Sequence, residues 1–194
     1  MPRGHEPCLV RRMLVPLIVA GLFSGAIPQA GETAPDFTAK DSTGKVHTLS
    51  ELVKQGPVIL AFFPKAFTGG CTKELKAYRD RYADVQKAQG QVLAISMDDA
   101  ETLARFKADL NAPFAFIPDP EGHIVTAYDV KMPMVSVPKR YTFVVGEDRK
   151  ILKVESGSDA IDPNGAIVAC PLRKPTGAKP ADAKPAEPQA PATK

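Results

Sequence analysis

The sequence predicts an α/β fold in which a central mixed β-sheet carries helices on both faces and is preceded by a β-hairpin. Continuous β-prone runs, typical of strands buried on both faces of a sheet, alternate along the chain with segments of helical periodicity. The last two predicted strands are separated only by a short turn, so the series ends in a hairpin.

The first predicted elements are a hairpin, a buried strand and a long helix. Phe37–Leu49 contains two short β-prone segments on either side of Asp41–Gly44, where Asp and Gly favour a turn. Val58–Phe63 is a continuous β-prone run. Apolar residues then recur at spacings of three and four over Cys71–Gln89, which predicts a helix ending at Gly90.

The second half of the domain continues the alternation. A helix is predicted over about Ala100 to Leu110, with Asp98 or Asp99 as its N-cap, because a carboxylate there accepts from free backbone N–H groups. The remaining predicted strands are Val92–Met97, Phe114–Ile117, Tyr141–Val145 and Ile151–Glu155, the last two joined across Gly146–Asp148.

Composition limits the classes of function. The chain has 194 residues, of which 44% are hydrophobic, so we expect one folded domain with appendages. Three cysteines are too few for a disulfide scaffold. Residues 27–173 carry 18 Lys and Arg against 19 Asp and Glu, a net charge of −1. Because phosphate neutralisation needs excess positive charge, we expect no nucleic-acid partner.

The N-terminus has the pattern of a signal peptide. Arg11 and Arg12 precede an apolar run, Met13–Ala26, that is shorter than the ~20 residues needed to span a bilayer core. Small residues suit cleavage after Ala26, with Ala30 as a second end. We therefore expect residues 1–26 to be removed on export to a bacterial periplasm, and an uncleaved membrane anchor at the N-terminus is the alternative.

The C-terminus is a segment of a different kind. Lys174–Lys194 consists mainly of Pro, Ala and Lys, with no large apolar residue to bury, so we expect an extended, disordered tail. The predicted globular domain is therefore residues 27–173.

The reactive residues cluster where the first central strand meets its helix. Cys71 is placed in the first turn of that helix, where free N–H groups and the helix dipole favour a thiolate. Thr68 can place a hydroxyl beside the sulfur, while Gly69 and Gly70 allow close backbone approach. The alternative is a buried structural cysteine, since cysteine is among the most buried residue types.

Pro64, Thr68 and Cys71 have the spacing Pro-x-x-x-Thr-x-x-Cys, which resembles the signature of peroxiredoxins. The resemblance spans most of residues 31–155 and is strongest to the peroxiredoxin Q, or bacterioferritin comigratory protein, branch. It implies a thioredoxin-like fold and a thiol peroxidase without metal, haem or other cofactor. The other matching segments are Ala34–Phe37, Gly70–Glu74, Tyr78–Asp80 and Arg140–Phe143.

The resemblance also implies a role for each matching residue. Cys71 is the peroxidatic cysteine, whose thiolate attacks a hydroperoxide and becomes a sulfenic acid. Arg140 favours the thiolate and polarises the O–O bond, and Glu74 holds Arg140. Thr68 hydrogen-bonds the thiolate and the peroxide, and Pro64 screens them from water. Alternatively, Arg140 is a solvated charge at a strand end, and Glu74 is simply a favourable residue in the first turns of a helix.

The sequence departs from the branch at the resolving cysteine. Its relatives often carry a second cysteine five positions after the first, where this chain has Lys76. Cys8 lies within the predicted signal peptide, so the mature chain would keep only Cys71 and Cys170. Cys170, in a helix predicted to start near Asp162 and Pro163, is the candidate resolving cysteine. A structural disulfide partner and a bystander thiol are the alternatives, and we favour a one-cysteine cycle.

Partners and rival functions follow from the same residues. The expected partners are a hydroperoxide and a thiol or disulfide-reductase electron donor, in a monomer or homodimer. An exported thiol-disulfide oxidoreductase would need a Cys-x-x-Cys that the chain lacks, and a redox-silent binding or holdase module is the other rival. His47 and His123 lack ligand spacing, so we expect no metal site and structural or surface roles for both.

Overall fold

The computed structural model describes residues 25–171. All but the last two residues of the predicted signal peptide lie outside the described residues, as does the whole predicted tail, so both remain predictions. No helix within residues 25–171 is long and apolar enough to cross a membrane.

The strands form a small hairpin and a five-stranded mixed sheet. The antiparallel hairpin consists of β1 (Thr38–Lys40) and β2 (Val46–Thr48). The main sheet has the order β5-β4-β3-β6-β7, with β3, β4 and β5 mutually parallel and β6 antiparallel to both of its neighbours. The predicted strands and the predicted mixed sheet are therefore confirmed. The sheet strands are β3 (Val58–Phe62), β4 (Gln91–Ser96), β5 (Ala115–Pro118), β6 (Tyr141–Val145) and β7 (Ile151–Ser156).

Helices cover both faces of the sheet, as predicted. Successive strand residues point to opposite faces, so Ile59 and Ala61 of β3 join one apolar cluster while Leu60 and Phe62 join the other. The first cluster packs against α2, α3, α4 and α6, and the second against α1 and α5. The helices are α1 (Leu49–Leu52), α2 (Gly69–Asp80), α3 (Tyr82–Lys87), α4 (Ala100–Leu110), α5 (His123–Ala127) and α6 (Asn164–Ala169), with a 3₁₀ turn at Asp159–Ile161.

The prediction of one helix over Cys71–Gln89 is wrong. The helical segment starts two residues earlier and breaks at Arg81, whose φ of −102° and ψ of 9° separate α2 from α3. Tyr78 before the break and Val85 after it lie in the same apolar cluster. Because both helices face one core, the apolar periodicity continues across the break and does not reveal it.

Asp99, and not Asp98, caps α4. The Asp99 side chain accepts from the backbone N–H of Thr102 at 2.7 Å. Asp98 points instead toward the loop between β3 and α2.

A buried carboxylate organises the turn of the hairpin. Asp41 accepts from the backbone N–H of Thr43 at 2.8 Å and from that of Lys45 at 3.1 Å, and its other oxygen lies 2.8 Å from Nε2 of His47. Burial opposes ionisation of Asp41, but these hydrogen bonds outweigh it and lower its pKa to about 2. His47 therefore lies in a structural contact, as expected for it.

We predict that Asp41→Asn destabilises the protein by about 2 kcal/mol at neutral pH, because hydrogen bonds to a charged group are lost. Since the folded-state pKa of Asp41 lies below its usual value of 3.8, its stabilising contribution is present above that pH and is lost as the pH falls toward 2. Urea unfolding of wild type and Asp41→Asn, at neutral pH and at a pH near 2, measures the difference in their free energies of unfolding. The exposed Asp109→Asn on α4 is the matched control, and an Asp41→Asn penalty that stays the same at low pH would contradict this account.

Candidate active site

Cys71 lies beyond the carboxyl end of β3, in the first turn of α2. Its side chain is 1% exposed and belongs to the apolar cluster between the sheet and α2. Thr68 occupies the N-cap position, but its hydroxyl donates to the carbonyl of Lys65 at 2.9 Å and does not cap the helix. The free N–H groups at the start of α2 therefore remain available near the sulfur.

The Arg140 guanidinium contacts the sulfur of Cys71. Nη2 of Arg140 donates to Sγ of Cys71 at 3.3 Å. Arg140 immediately precedes β6, and the pairing of Tyr141 with Phe62 places it beside the end of β3. The antiparallel register of these two central strands thus brings together residues 69 positions apart.

Glu74 holds the other side of the same guanidinium. Its side chain is fully buried, one helical turn after Cys71, and its Oε2 accepts from Nη1 of Arg140 in an ion pair. Oε1 of Glu74 has no hydrogen-bond partner among residues 25–171. Arg140 is only 14% exposed, so it is a buried bridge between a carboxylate and a thiol rather than a solvated strand-end charge.

Of the two glycines before Cys71, only Gly70 is close to Arg140. A Cβ atom on Gly70 would lie 3.2 Å from Nη2 of Arg140, whereas one on Gly69 would meet nothing within 4 Å. The absence of a side chain at Gly70 therefore lets the guanidinium approach the sulfur.

The loop between β3 and α2 carries Pro64 and Thr68 and makes a tight turn. Pro64 is half-buried, while Thr68 is exposed three residues before Cys71. Phe67 adopts a left-handed φ of 60°, and its ring contacts that of Phe106 on α4 at a centroid distance of 4.8 Å. The predicted site residues Pro64, Thr68, Cys71, Glu74 and Arg140 thus occupy one region of the molecule.

Asp98 also lies in this region, although its sequence position predicted only that Asp98 or Asp99 caps α4. Its buried carboxylate forms an ion pair with Lys65 and accepts from the backbone N–H of Ala66 at 2.9 Å. A prediction that β3 and β4 are parallel neighbours would have placed Asp98 close to Lys65. Asp98 follows β4 as Lys65 follows β3, and these strands are parallel neighbours.

Cys170 lies at the end of α6 and is buried. Its Sγ contacts the carbonyl of Ala166 at 3.4 Å, and burial raises the pKa of its thiol to about 11. Cys71 and Cys170 are both free thiols in the described part of the chain, so they form no structural disulfide in this conformation. Lys76, at the position of the usual second cysteine, is exposed on α2.

The two histidines lie away from this arrangement. His47 pairs with Asp41 in the hairpin, and His123 is exposed at the start of α5. Across residues 25–171, no group of three or more His, Cys, Asp or Glu side chains could hold a metal ion.

Known proteins share both the sequence and the fold. Residues 30–154 match the AhpC/TSA family. A Mycobacterium tuberculosis protein named as a peroxiredoxin is 33% identical over 148 residues, which is 75% of this chain and 96% of that protein. A bcp-type peroxiredoxin of Coxiella burnetii is 34% identical over 132 residues, covering 65% of this chain and 87% of its own length.

Solved structures agree with the sequence matches. The crystal structure of peroxidoxin BcpB from Mycobacterium tuberculosis has a TM-score of 0.69 and 32% identity, and the match covers 73% of this chain and 95% of that one. Peroxiredoxin Q of Xanthomonas campestris, at 22% identity, shares the fold with a TM-score of 0.66 over 73% of this chain and 97% of its own. The thioredoxin-like fold implied by the resemblance is confirmed, and the chain belongs to the AhpC/TSA family as a thiol-dependent peroxidase of the peroxiredoxin Q and bcp type.

Proposed function

We propose that Cys71 is the peroxidatic cysteine, that it reduces hydrogen peroxide and organic hydroperoxides, and that an external thiol completes the cycle. The hydrogen bond from Arg140 to the Cys71 sulfur carries this proposal, because it places a permanent cation against the only sulfur at the start of α2. A cation in that position attracts the negative charge of an attacking thiolate, which is the nucleophilic form of a cysteine.

The first step is attack of the thiolate on the terminal oxygen of ROOH. An S–O bond forms and the O–O bond breaks. The group released is an alkoxide, or hydroxide when the substrate is hydrogen peroxide, and it takes a proton from the solvent to leave as an alcohol or as water. Cys71 is oxidised to the sulfenic acid by two electrons, and the peroxide is reduced by the same two.

The neighbouring side chains assist this step in different ways. Arg140 donates toward the reacting atoms, and Glu74 keeps its guanidinium oriented. The proton of the Thr68 hydroxyl is committed to the carbonyl of Lys65, so its oxygen is free to accept from the peroxide O–H. Pro64 is half-buried beside this region, where it limits access of water to the sulfur.

The second step returns Cys71 to the thiol. An external thiol condenses with the sulfenic acid to a mixed disulfide and water, and a second thiol then releases Cys71. Cys170 is a poor internal alternative, because it is buried in a docked helix and its pKa of about 11 keeps it protonated at neutral pH. The protein thus uses one cysteine, as its Lys76 also suggests.

Location and assembly belong to the same proposal. The pattern of residues 1–26 supports export to a periplasm, and the intact mass of the protein from its native host tests it. A mature chain that begins at Met1 would contradict export. The expected assembly is a monomer or homodimer.

The function itself is tested by treating the reduced protein with one equivalent of hydroperoxide. We predict that the peroxide is consumed, that Cys71 becomes a sulfenic acid that dimedone traps, and that Cys170 stays a free thiol. Stopped-flow measurement follows the consumption, and non-reducing peptide mass spectrometry locates each sulfur state. An unconsumed peroxide would refute the peroxidase role of Cys71, and a Cys71–Cys170 peptide in high yield would refute the one-cysteine cycle.

The two glycines of α2 provide a matched test of the Arg140 contact. We predict that Gly70→Ala slows the reaction with peroxide about 10-fold, because the added methyl displaces the guanidinium from the sulfur. Gly69→Ala makes the same chemical change one residue earlier in open space, so it should react within about 2-fold of wild type. Stopped-flow rate constants compare the two, and equal effects would contradict the role of Gly70.

A further inference from the structure

The carboxylate of Asp98 holds two successive residues of the loop that leads to Cys71. Asp98 follows β4 and is only 4% exposed. Its Oδ1 pairs with the ammonium of Lys65, and its Oδ2 accepts from the backbone N–H of Ala66 at 2.9 Å and from the hydroxyl of Ser96 at 3.0 Å. The buried charge is thus compensated by three donors, which offset its loss of hydration.

Asp98 and Thr68 bind opposite sides of a single peptide group. The N–H that Asp98 accepts from belongs to Ala66, and the carbonyl that the Thr68 hydroxyl donates to, at 2.9 Å, belongs to Lys65. These atoms are the two ends of the Lys65–Ala66 peptide bond, which is planar and rigid. The direction of the Lys65 carbonyl, and with it the direction of the Thr68 O–H bond, therefore depends on where Asp98 holds the N–H.

We propose that Asp98 is a positioning residue for peroxide reduction, which acts by fixing the Lys65–Ala66 peptide plane and so keeping the Thr68 hydroxyl oriented to accept from the substrate. The inference rests on the proposed function, since it concerns the same reaction. The hydrogen bond from the Thr68 hydroxyl to Lys65 uses its only proton and leaves its oxygen lone pairs for the peroxide O–H. Without Asp98, the Lys65–Ala66 peptide plane can rotate, and the Thr68 hydroxyl is no longer held with its oxygen facing the peroxide.

Helix capping does not account for the placement of Asp98. Asp99 supplies the cap of α4, and Asp98 turns its carboxylate away from that helix toward the loop. The ion pair with Lys65 joins the ends of two parallel neighbours, β3 and β4, on the edge of the sheet where Cys71 lies. The contacts of Asp98 are thus directed at the reactive loop.

The test combines Asp98→Asn with Thr68→Val in a double-mutant cycle. Asp98→Asn keeps the size of the side chain but replaces one of its two acceptor oxygens with an NH2 donor, so it can no longer accept from both Lys65 and the Ala66 N–H. We expect it to slow the stopped-flow reaction with hydroperoxide about 10-fold in the wild-type background and by less than about 2-fold in the Thr68→Val background, because its effect passes through Thr68. Alkylation of Cys71 by iodoacetamide, located by peptide mass spectrometry, should change by less than about 2-fold, since it does not use the Thr68 hydroxyl.

Three controls make the result decisive. Asp109→Asn makes the same substitution at an exposed site on α4 and should react as wild type does. Lys65→Met removes only the ion pair, so it should show a smaller loss that also disappears with Thr68→Val, and it replaces Asp98→Asn if that variant fails to fold. Urea unfolding verifies that each variant is folded under assay conditions.

The outcomes separate the inference from the function on which it rests. A wild-type protein that does not react with peroxide overturns the proposed function and this inference together. An active wild type overturns the inference alone if Asp98→Asn reacts at the wild-type rate, loses the same factor in the Thr68→Val background, or loses alkylation and peroxide reactivity equally.

Discussion

The active site depends on one buried interaction, the guanidinium of Arg140 held between the carboxylate of Glu74 and the sulfur of Cys71. A fully buried carboxylate is stable only when it is paired, and breaking such a pair costs about 3–5 kcal/mol because an uncompensated charge remains. Glu74 and Arg140 therefore require each other. Their pairing leaves one edge of the guanidinium free to face the thiol, so one buried ion pair also places a cation beside the sulfur of Cys71.

The rest of the structure places the partners of this interaction. The pairing of β3 with β6 brings Arg140 beside the end of β3, and α2 presents Cys71 and Glu74 on one face because they are three residues apart. Gly70 leaves room for the guanidinium, and Asp98 anchors the loop that supplies Thr68. The site is thus built at the carboxyl edge of the parallel strands, where α/β sheets commonly carry their reactive groups.

Local patterns were enough to predict the seven strands of residues 25–171 and the position of Cys71 at a helix start. The buried run at Val58–Phe63 and the spacing from Pro64 to Cys71 depend only on neighbouring residues, and the structure has both as expected. The break at Arg81 was not predictable, because both helices bury apolar residues in one core and so keep one periodicity.

Other features depend on contacts between distant parts of the chain. Asp98 and Asp99 are both acidic residues at the start of α4, so the sequence does not show which one caps the helix. In the structure Asp99 caps α4, because Asp98 binds Lys65 and Ala66 of the neighbouring loop. The short helices α1 and α5, of four and five residues, have too little length for a periodic signal. The burial of Cys170 likewise results from the docking of α6 on the sheet.

The coupling of Glu74 and Arg140 is tested most directly by the rate of peroxide reduction in Arg140→Met, Glu74→Gln and the double variant. If Glu74 acts on the sulfur only through Arg140, Arg140→Met should slow the reaction about 100-fold, and adding Glu74→Gln to it should change the rate little further. Losses that multiply in the double variant, or an Arg140→Met protein as fast as wild type, would contradict the account.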